Sequence, residues 1–103
     1  MPSIFQIKSR ELRELIQHQQ VELIDVRTPE EYHEMNIPTA KLLPLSELSL
    51  DQLQHFDESK KWVIHCRSGH RSMLACQLLI DQGLQKDIGN LEGGILDWIT
   101  HQE

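Results

Sequence analysis

Lys61-Trp62-Val63-Ile64-His65-Cys66-Arg67-Ser68-Gly69-His70-Arg71-Ser72 reads as an apolar strand, a tight loop and the start of a helix. Helical spacing of apolar residues runs over 71–82, and Gly83 supplies a stop. The Cys66 thiol is therefore placed at the carboxyl end of a buried strand, facing the amino terminus of a helix. Backbone N–H groups there lack intrahelical partners, and the helix dipole adds partial positive charge. Arg67, His70 and Arg71 crowd the same turn. Such surroundings promote ionisation of a thiol, and the thiolate is the nucleophilic form. Cysteine chemistry on an anionic substrate is the first expectation.

Working outward, Val21-Glu22-Leu23-Ile24-Asp25-Val26 reads as a second buried strand and Ile4–Ile7 as a first. Between them Ser9 offers an N-cap, and Leu12, Leu15 and Ile16 recur at helical spacing up to about Gln19. Thr28 caps a short helix with Pro29 at its first position and Glu30 and Glu31 near its positive end. Ile37-Pro38 ends that segment, and residues 40–43 make a short strand before Pro44. The stretch 46–55, carrying Leu48, Leu50 and Leu53, reads as one helix or a broken one. Residues 87–91 form a last strand, followed by a Gly93-Gly94 turn and a helix from Ile95 to about His101. Strands alternating with helices predict a single α/β domain over 1–103 with a mainly parallel sheet. In such sheets ligands bind beyond the carboxyl ends of strands, where Cys66 lies.

Composition narrows the partners. The 103 residues, 39% apolar and 25% charged, suit an ordinary globular domain. A net charge of −6 argues against general nucleic-acid or membrane binding. Yet no acidic residue lies between Glu58 and Asp81, a stretch that holds Lys60, Lys61, Arg67 and Arg71. A local basic patch on an acidic protein suits a small anion better than a long polyanion. Two cysteines, Cys66 and Cys76, make no disulfide framework. The first residues do not have the pattern of a signal peptide, and no apolar run approaches the roughly 20 residues that span a bilayer. A reducing, cytoplasmic setting is expected.

Three segments together resemble a rhodanese domain: 23–32 (Leu-Ile-Asp-Val-Arg-Thr-Pro-Glu-Glu-Tyr), the cysteine loop 65–72, and 90–98 (Asn-Leu-Glu-Gly-Gly-Ile-Leu-Asp-Trp). Ile37-Pro38 with Ala40 is similar to the family's isoleucine-proline-glycine-alanine turn, although Thr39 replaces the glycine and Met35-Asn36 replaces the usual Gly-His. The resemblance implies a five-stranded, mainly parallel sheet with helices on both faces. It also implies a sulfurtransferase whose cysteine takes a sulfane sulfur from a donor such as thiosulfate. A persulfide on Cys66 then passes it to cyanide or a thiol, a protein thiol included, and neither cofactor nor metal is implied.

Cys66 is thus the expected catalytic residue, with Arg67, Ser68, Gly69, His70, Arg71 and Ser72 as substrate-binding residues. A helix terminus and nearby cations lower a cysteine pKa from about 8.5 to roughly 3.5–7.5. The amides of residues 67–71 are the expected cradle for the thiolate and for the outer sulfur of the persulfide, and Gly69 allows the tight curl. Arg71 is read as directing its charge to the loop, or else as tying the loop to an acidic neighbour. Arg67 meets the donor at the mouth, His70 shapes acceptor access, and Ser68 and Ser72 donate to the persulfide. Four residues separate Cys66 from Arg71, where cysteine phosphatases have five, so a phosphatase or arsenate-reducing enzyme is a minor alternative. A non-catalytic or carrier module that binds a protein partner is the other. Cys76, Trp62 and Trp98 are read as core, His65 as pointing away from Cys66, and Asp25 with Arg27 as a structural ion pair. His65, Cys66 and His70 make a poor zinc pattern.

Overall fold

The computed structural model describes residues 1–101; the last two residues of the expected 1–103 domain lie outside them. Five strands, β1 (Ile4–Ile7), β2 (Val21–Asp25), β3 (Lys41–Leu42), β4 (Lys61–His65) and β5 (Ile88–Leu91), alternate with four helices. These are α1 (Ser9–Gln17), α2 (Pro29–Glu34), α3 (His70–Asp81) and α4 (Gly94–Thr100). Every strand pair is parallel, in the order β1-β5-β4-β2-β3. Parallel neighbours cannot be joined by tight hairpins, so each connection crosses a face of the sheet and deposits helix there.

Side chains alternate across β4. Trp62, Ile64 and Cys66 enter a core closed by α3 through Ala75, Cys76 and Leu79, with Leu48, Leu53 and Phe56 from the β3–β4 connection. Val63 enters the opposite core, closed by α1 through Leu12 and by α4 through Ile95 and Trp98. Helices therefore cover both faces. β4 lies between β5 and β2, so the loop after it opens at the centre of the sheet's carboxyl edge.

Several local expectations need correction. Ser9 is not the N-cap of α1: Lys8 is, its backbone extended and its N–H bonded to the Glu11 carboxylate at 3.4 Å. Ser9 lies in the first turn, buried, because its hydroxyl finds a tertiary acceptor in Asp97 Oδ2 at 2.9 Å. The helix then stops at Gln17 rather than near Gln19, whose φ of +55° reverses the chain while the Gln20 amide bonds back to the Leu15 carbonyl at 2.8 Å. Stretch 46–55 is the broken form, with 3₁₀ turns at Leu45–Glu47 and Leu50–Leu53. The helix carrying the cysteine loop and the one after Gly93 each begin one residue earlier than the apolar spacing indicates.

Candidate active site

The main chain at Cys66 is clamped from α4. The Cys66 and Arg67 carbonyls accept from the amides of Ile95 (2.9 Å) and Leu96 (3.1 Å), two of the donors left free at a helix start. Gly94, at φ +61°, lets that helix approach so closely: a Cβ there would stand 2.6 Å from the Ser68 amide nitrogen. The chain then turns through Gly69 at φ +106°, a left-handed conformation in which glycine carries no Cβ penalty, and α3 begins.

This turn wraps the sulfur. The amides of Gly69 (3.1 Å) and Ser72 (3.3 Å) donate to Cys66 Sγ, and the Ser72 hydroxyl lies 3.4 Å from it. Cys66 is only 1% exposed. Burial by itself opposes ionisation, but the Ser72 hydroxyl and amide and the Gly69 and Ser68 amides outweigh it and hold the thiol below its ordinary value. Of the amides of residues 67–71, that of Gly69 bonds the sulfur, and the wrapping extends one residue further, to Ser72. Arg67, Ser68 and His70 are exposed around the mouth.

Arg71 is engaged by an acidic side chain. Its guanidinium makes a bidentate pair with Glu31, both contacts at 2.8 Å, so the loop is tied to an acidic neighbour. Arg71 drives the Glu31 carboxyl down to about 2 despite some opposing desolvation, and Glu31 in return raises the Arg71 pKa. Behind β4, Asp25 and Arg27 form a buried fork-to-fork pair, with contacts of 2.7 Å to Nη2 and 3.0 Å to Nε. His65 lies on that side, away from Sγ, with Nε2 3.5 Å from Asp25 Oδ2 and Nδ1 3.3 Å from the Cys66 carbonyl. Burial pulls the His65 pKa down, with Asp25 working against it. Cys76 is fully buried beside the Gly89 carbonyl; burial first, and the charge on Cys66 second, push it up to about 12.

Sequence reasoning missed two residues of this site. Glu31 was read only as a helix-start acid, because nothing in its neighbourhood points to Arg71, 40 positions away. Asn90, 3% exposed on β5, accepts from the Ser72 hydroxyl and so touches the site at one remove. Its only signal was membership of the 90–98 segment. A concavity of about 630 Å3 between α1 and α4, lined by Lys8, Arg10, Arg13, Glu92 and Asp97 among others, does not take in the cysteine. Among the described residues no helix is long and apolar enough to cross a membrane.

Residues 8–101 match the family model described as a rhodanese-like domain. A sulfurtransferase of Allochromatium vinosum is 39% identical over 79 residues, 77% of this chain and 72% of that protein. A Coxiella burnetii protein named thiosulfate sulfurtransferase GlpE is 30% identical over 96 residues, 93% of this chain and 88% of its own. Among solved structures, a rhodanese-like domain protein from Staphylococcus aureus superposes with a TM-score of 0.74 at 34% identity, covering 95% of this chain and 91% of that one.

Proposed function

The chain belongs to the rhodanese-like domain family, with sulfurtransferases among its relatives, and from that premise we propose that it passes a sulfane sulfur through a persulfide on Cys66. The donor is a small anion such as thiosulfate, as the name of the Coxiella relative suggests. The acceptor is cyanide or a thiol, including a thiol on another protein. The supporting observation is the wrapped sulfur: Gly69 and Ser72 amides at 3.1 and 3.3 Å stabilise a thiolate at the end of a buried strand.

The Cys66 thiolate attacks the outer sulfur of thiosulfate. A Cys66 S–S bond forms, the donor's S–S bond breaks, and sulfite departs with its electron pair. The outer persulfide sulfur carries negative charge, and the amides of Ser68, Gly69 and Ser72 and the Ser72 hydroxyl are the donors nearest to receive it. The exposed Arg67 and His70 meet the oxyanion end of the donor, while Arg71, held by Glu31, adds a positive field and fixes the first turn of α3. The acceptor then attacks the outer sulfur and leaves the Cys66 thiolate, a covalent two-step cycle. A cysteine only 1% exposed favours the slim end of a sulfane donor over a tetrahedral phosphate ester, which disfavours the phosphatase reading. Two unpaired cysteines suit a reducing compartment, and the cytoplasm is the proposed setting.

Intact mass after incubation with thiosulfate tests this, with Cys66→Ser as control. The expected result is a gain of one sulfur atom, absent in the control and lost on adding cyanide. No gain from thiosulfate or from other sulfane donors, with the thiol reduced, overturns the proposal in favour of a binding module.

A further inference from the structure

Ser72 has one hydroxyl proton and two neighbours that want it. Its Oγ donates to Asn90 Oδ1 and lies 3.4 Å from Cys66 Sγ. While Cys66 is a thiol both contacts are satisfied, because S–H donates to Oγ and O–H donates to Asn90. A thiolate has no proton to give. The Ser72 hydroxyl must then turn to the sulfur, and the Asn90 oxygen is left facing oxygen lone pairs in a buried place, a costly arrangement.

The far end of Asn90 offers a way out. Gln6 and Asn90 are register partners on β1 and β5, and Asn90 Nδ2 donates to Gln6 Oε1 at 2.9 Å. Gln6 Nε2 in turn reaches Met73 Sδ at 3.3 Å, a weak acceptor. A half-turn of the Asn90 carboxamide exchanges its donor and acceptor ends. Nδ2 then donates to Ser72 Oγ, the Ser72 proton goes to Sγ, and Asn90 Oδ1 accepts from a Gln6 that has made the same half-turn. Gln6 is exposed, so it can turn freely and lose only the methionine contact. Each polarity gives the Ser72 hydroxyl and both ends of the Asn90 carboxamide a partner; one fits S–H and the other fits S−.

We propose that Asn90 is a positioning residue for Cys66, its carboxamide turning with the charge on the sulfur so that Ser72 donates to thiolate and persulfide but not to thiol. This rests on Cys66 being the reacting group, yet it concerns the ionisation of the thiol and needs no sulfur donor. The relay itself holds no ionisable group besides Cys66, and β5 contributes none. On the neighbouring elements the ionisable groups are Arg71 of α3 paired with Glu31 of α2, Cys76 of α3, and the set of Asp25 on β2, Arg27 just after it and His65 on β4, which lies away from Sγ. Arg67 and His70 of the loop are exposed.

The test is the alkylation rate of Cys66 by iodoacetamide across the thiol titration, in the parent chain, Asn90→Asp, Ser72→Ala and the double variant. A carboxylate only accepts, so Asn90→Asp holds the Ser72 proton away from the sulfur. The expected result is a midpoint about one pH unit higher, equivalent to about tenfold less thiolate below it, with most of that shift gone in the Ser72→Ala background. No shift, or an equal shift without the Ser72 hydroxyl, overturns the proposal. Should Asn90→Asp fail to fold, the parent chain still decides. The side-chain amide resonance of Asn90, followed by 15N NMR, is expected to move with the alkylation midpoint and to stay still in Ser72→Ala. A flat resonance in the parent chain, or equal movement in both, overturns it. A chain that shows this relay but never gains sulfur would sink the sulfurtransferase proposal and leave this one standing.

Discussion

Thr39 holds a backbone φ of +72°, a left-handed angle that suits glycine far better than a β-branched residue. It stands where the family's turn has glycine, so the departure seen in the sequence becomes local strain in the fold. A left-handed angle costs an L-residue roughly 1–2 kcal/mol, and the extra chain entropy of glycine returns roughly 0.5–1 kcal/mol of that. Thr39→Gly is therefore expected to stabilise the domain by about 0.5–1 kcal/mol and to raise Tm by several degrees, read by thermal circular dichroism. A lower Tm would mean that the threonine side chain contributes more than its strain costs. The two cysteines show how environment divides one chemistry. Cys66 has amides and a hydroxyl aimed at its sulfur, whereas Cys76 sits in apolar packing with only the Gly89 carbonyl nearby. The sequence already reads them apart, because only Cys66 follows a strand and precedes a helix start.

Helix α2 buries no residue, so it is held by its ends and by ion pairing rather than by packing. Thr28 and Glu31 close a reciprocal capping box, with Glu31 N to Thr28 Oγ1 at 3.2 Å and Thr28 N to Glu31 Oε1 at 3.0 Å. Arg27 donates to the Met35 carbonyl at 2.7 Å just past the other end. Glu31 also grips Arg71, so the same carboxylate caps one helix and braces another. Its pKa falls from 4.5 to about 2 on folding. A depressed carboxyl stabilises the fold fully above its unfolded value and loses that contribution as pH falls through the folded one. The Glu31 contribution is thus complete above about pH 4.5 and fades toward about pH 2. Urea unfolding in that window is expected to show a shallower acid loss for Glu31→Gln than for the parent, with the variant less stable at neutral pH. The pair is partly exposed, so the difference is modest. Identical acid profiles would refute the pairing. Thr28 and Pro29 were legible as a helix start because capping is local; the grip on Arg71 was not.

At the scale of the whole molecule one sheet serves two cores. Trp62 lies in the core under α3 and Trp98 in the core under α1 and α4, while β4 contributes side chains to both. Neither core can open without exposing the other side of β4, so the domain is expected to unfold in one cooperative step. Single-tryptophan variants, Trp62→Phe and Trp98→Phe, each leave one face reporting. Their fluorescence midpoints in urea are expected to coincide with the circular dichroism midpoint of the same variant; split midpoints would show that one face melts alone. The sheet order also explains the position of the site. The loop after β4 opens between β5 and β2, and it can therefore draw Asn90 from one neighbour's side and Glu31 from the helix after the other.

The alternation of strands and helices, the mainly parallel sheet and the tight turn after Cys66 were all determined by the sequence itself. Apolar period, caps and glycine positions act over a few residues, and Gly69 and Gly93 at positive φ lie where the turns were read. The same locality failed at Ser9, whose hydroxyl prefers Asp97, 88 positions away, to the cap. Only the tertiary structure decided that Arg71 faces Glu31, that Ser72 shares its proton between Cys66 and Asn90, and that His65 lies against Asp25. A charged or hydrogen-bonding side chain settles on whichever partner the strand order and register bring within about 3 Å, and those are properties of the packed sheet.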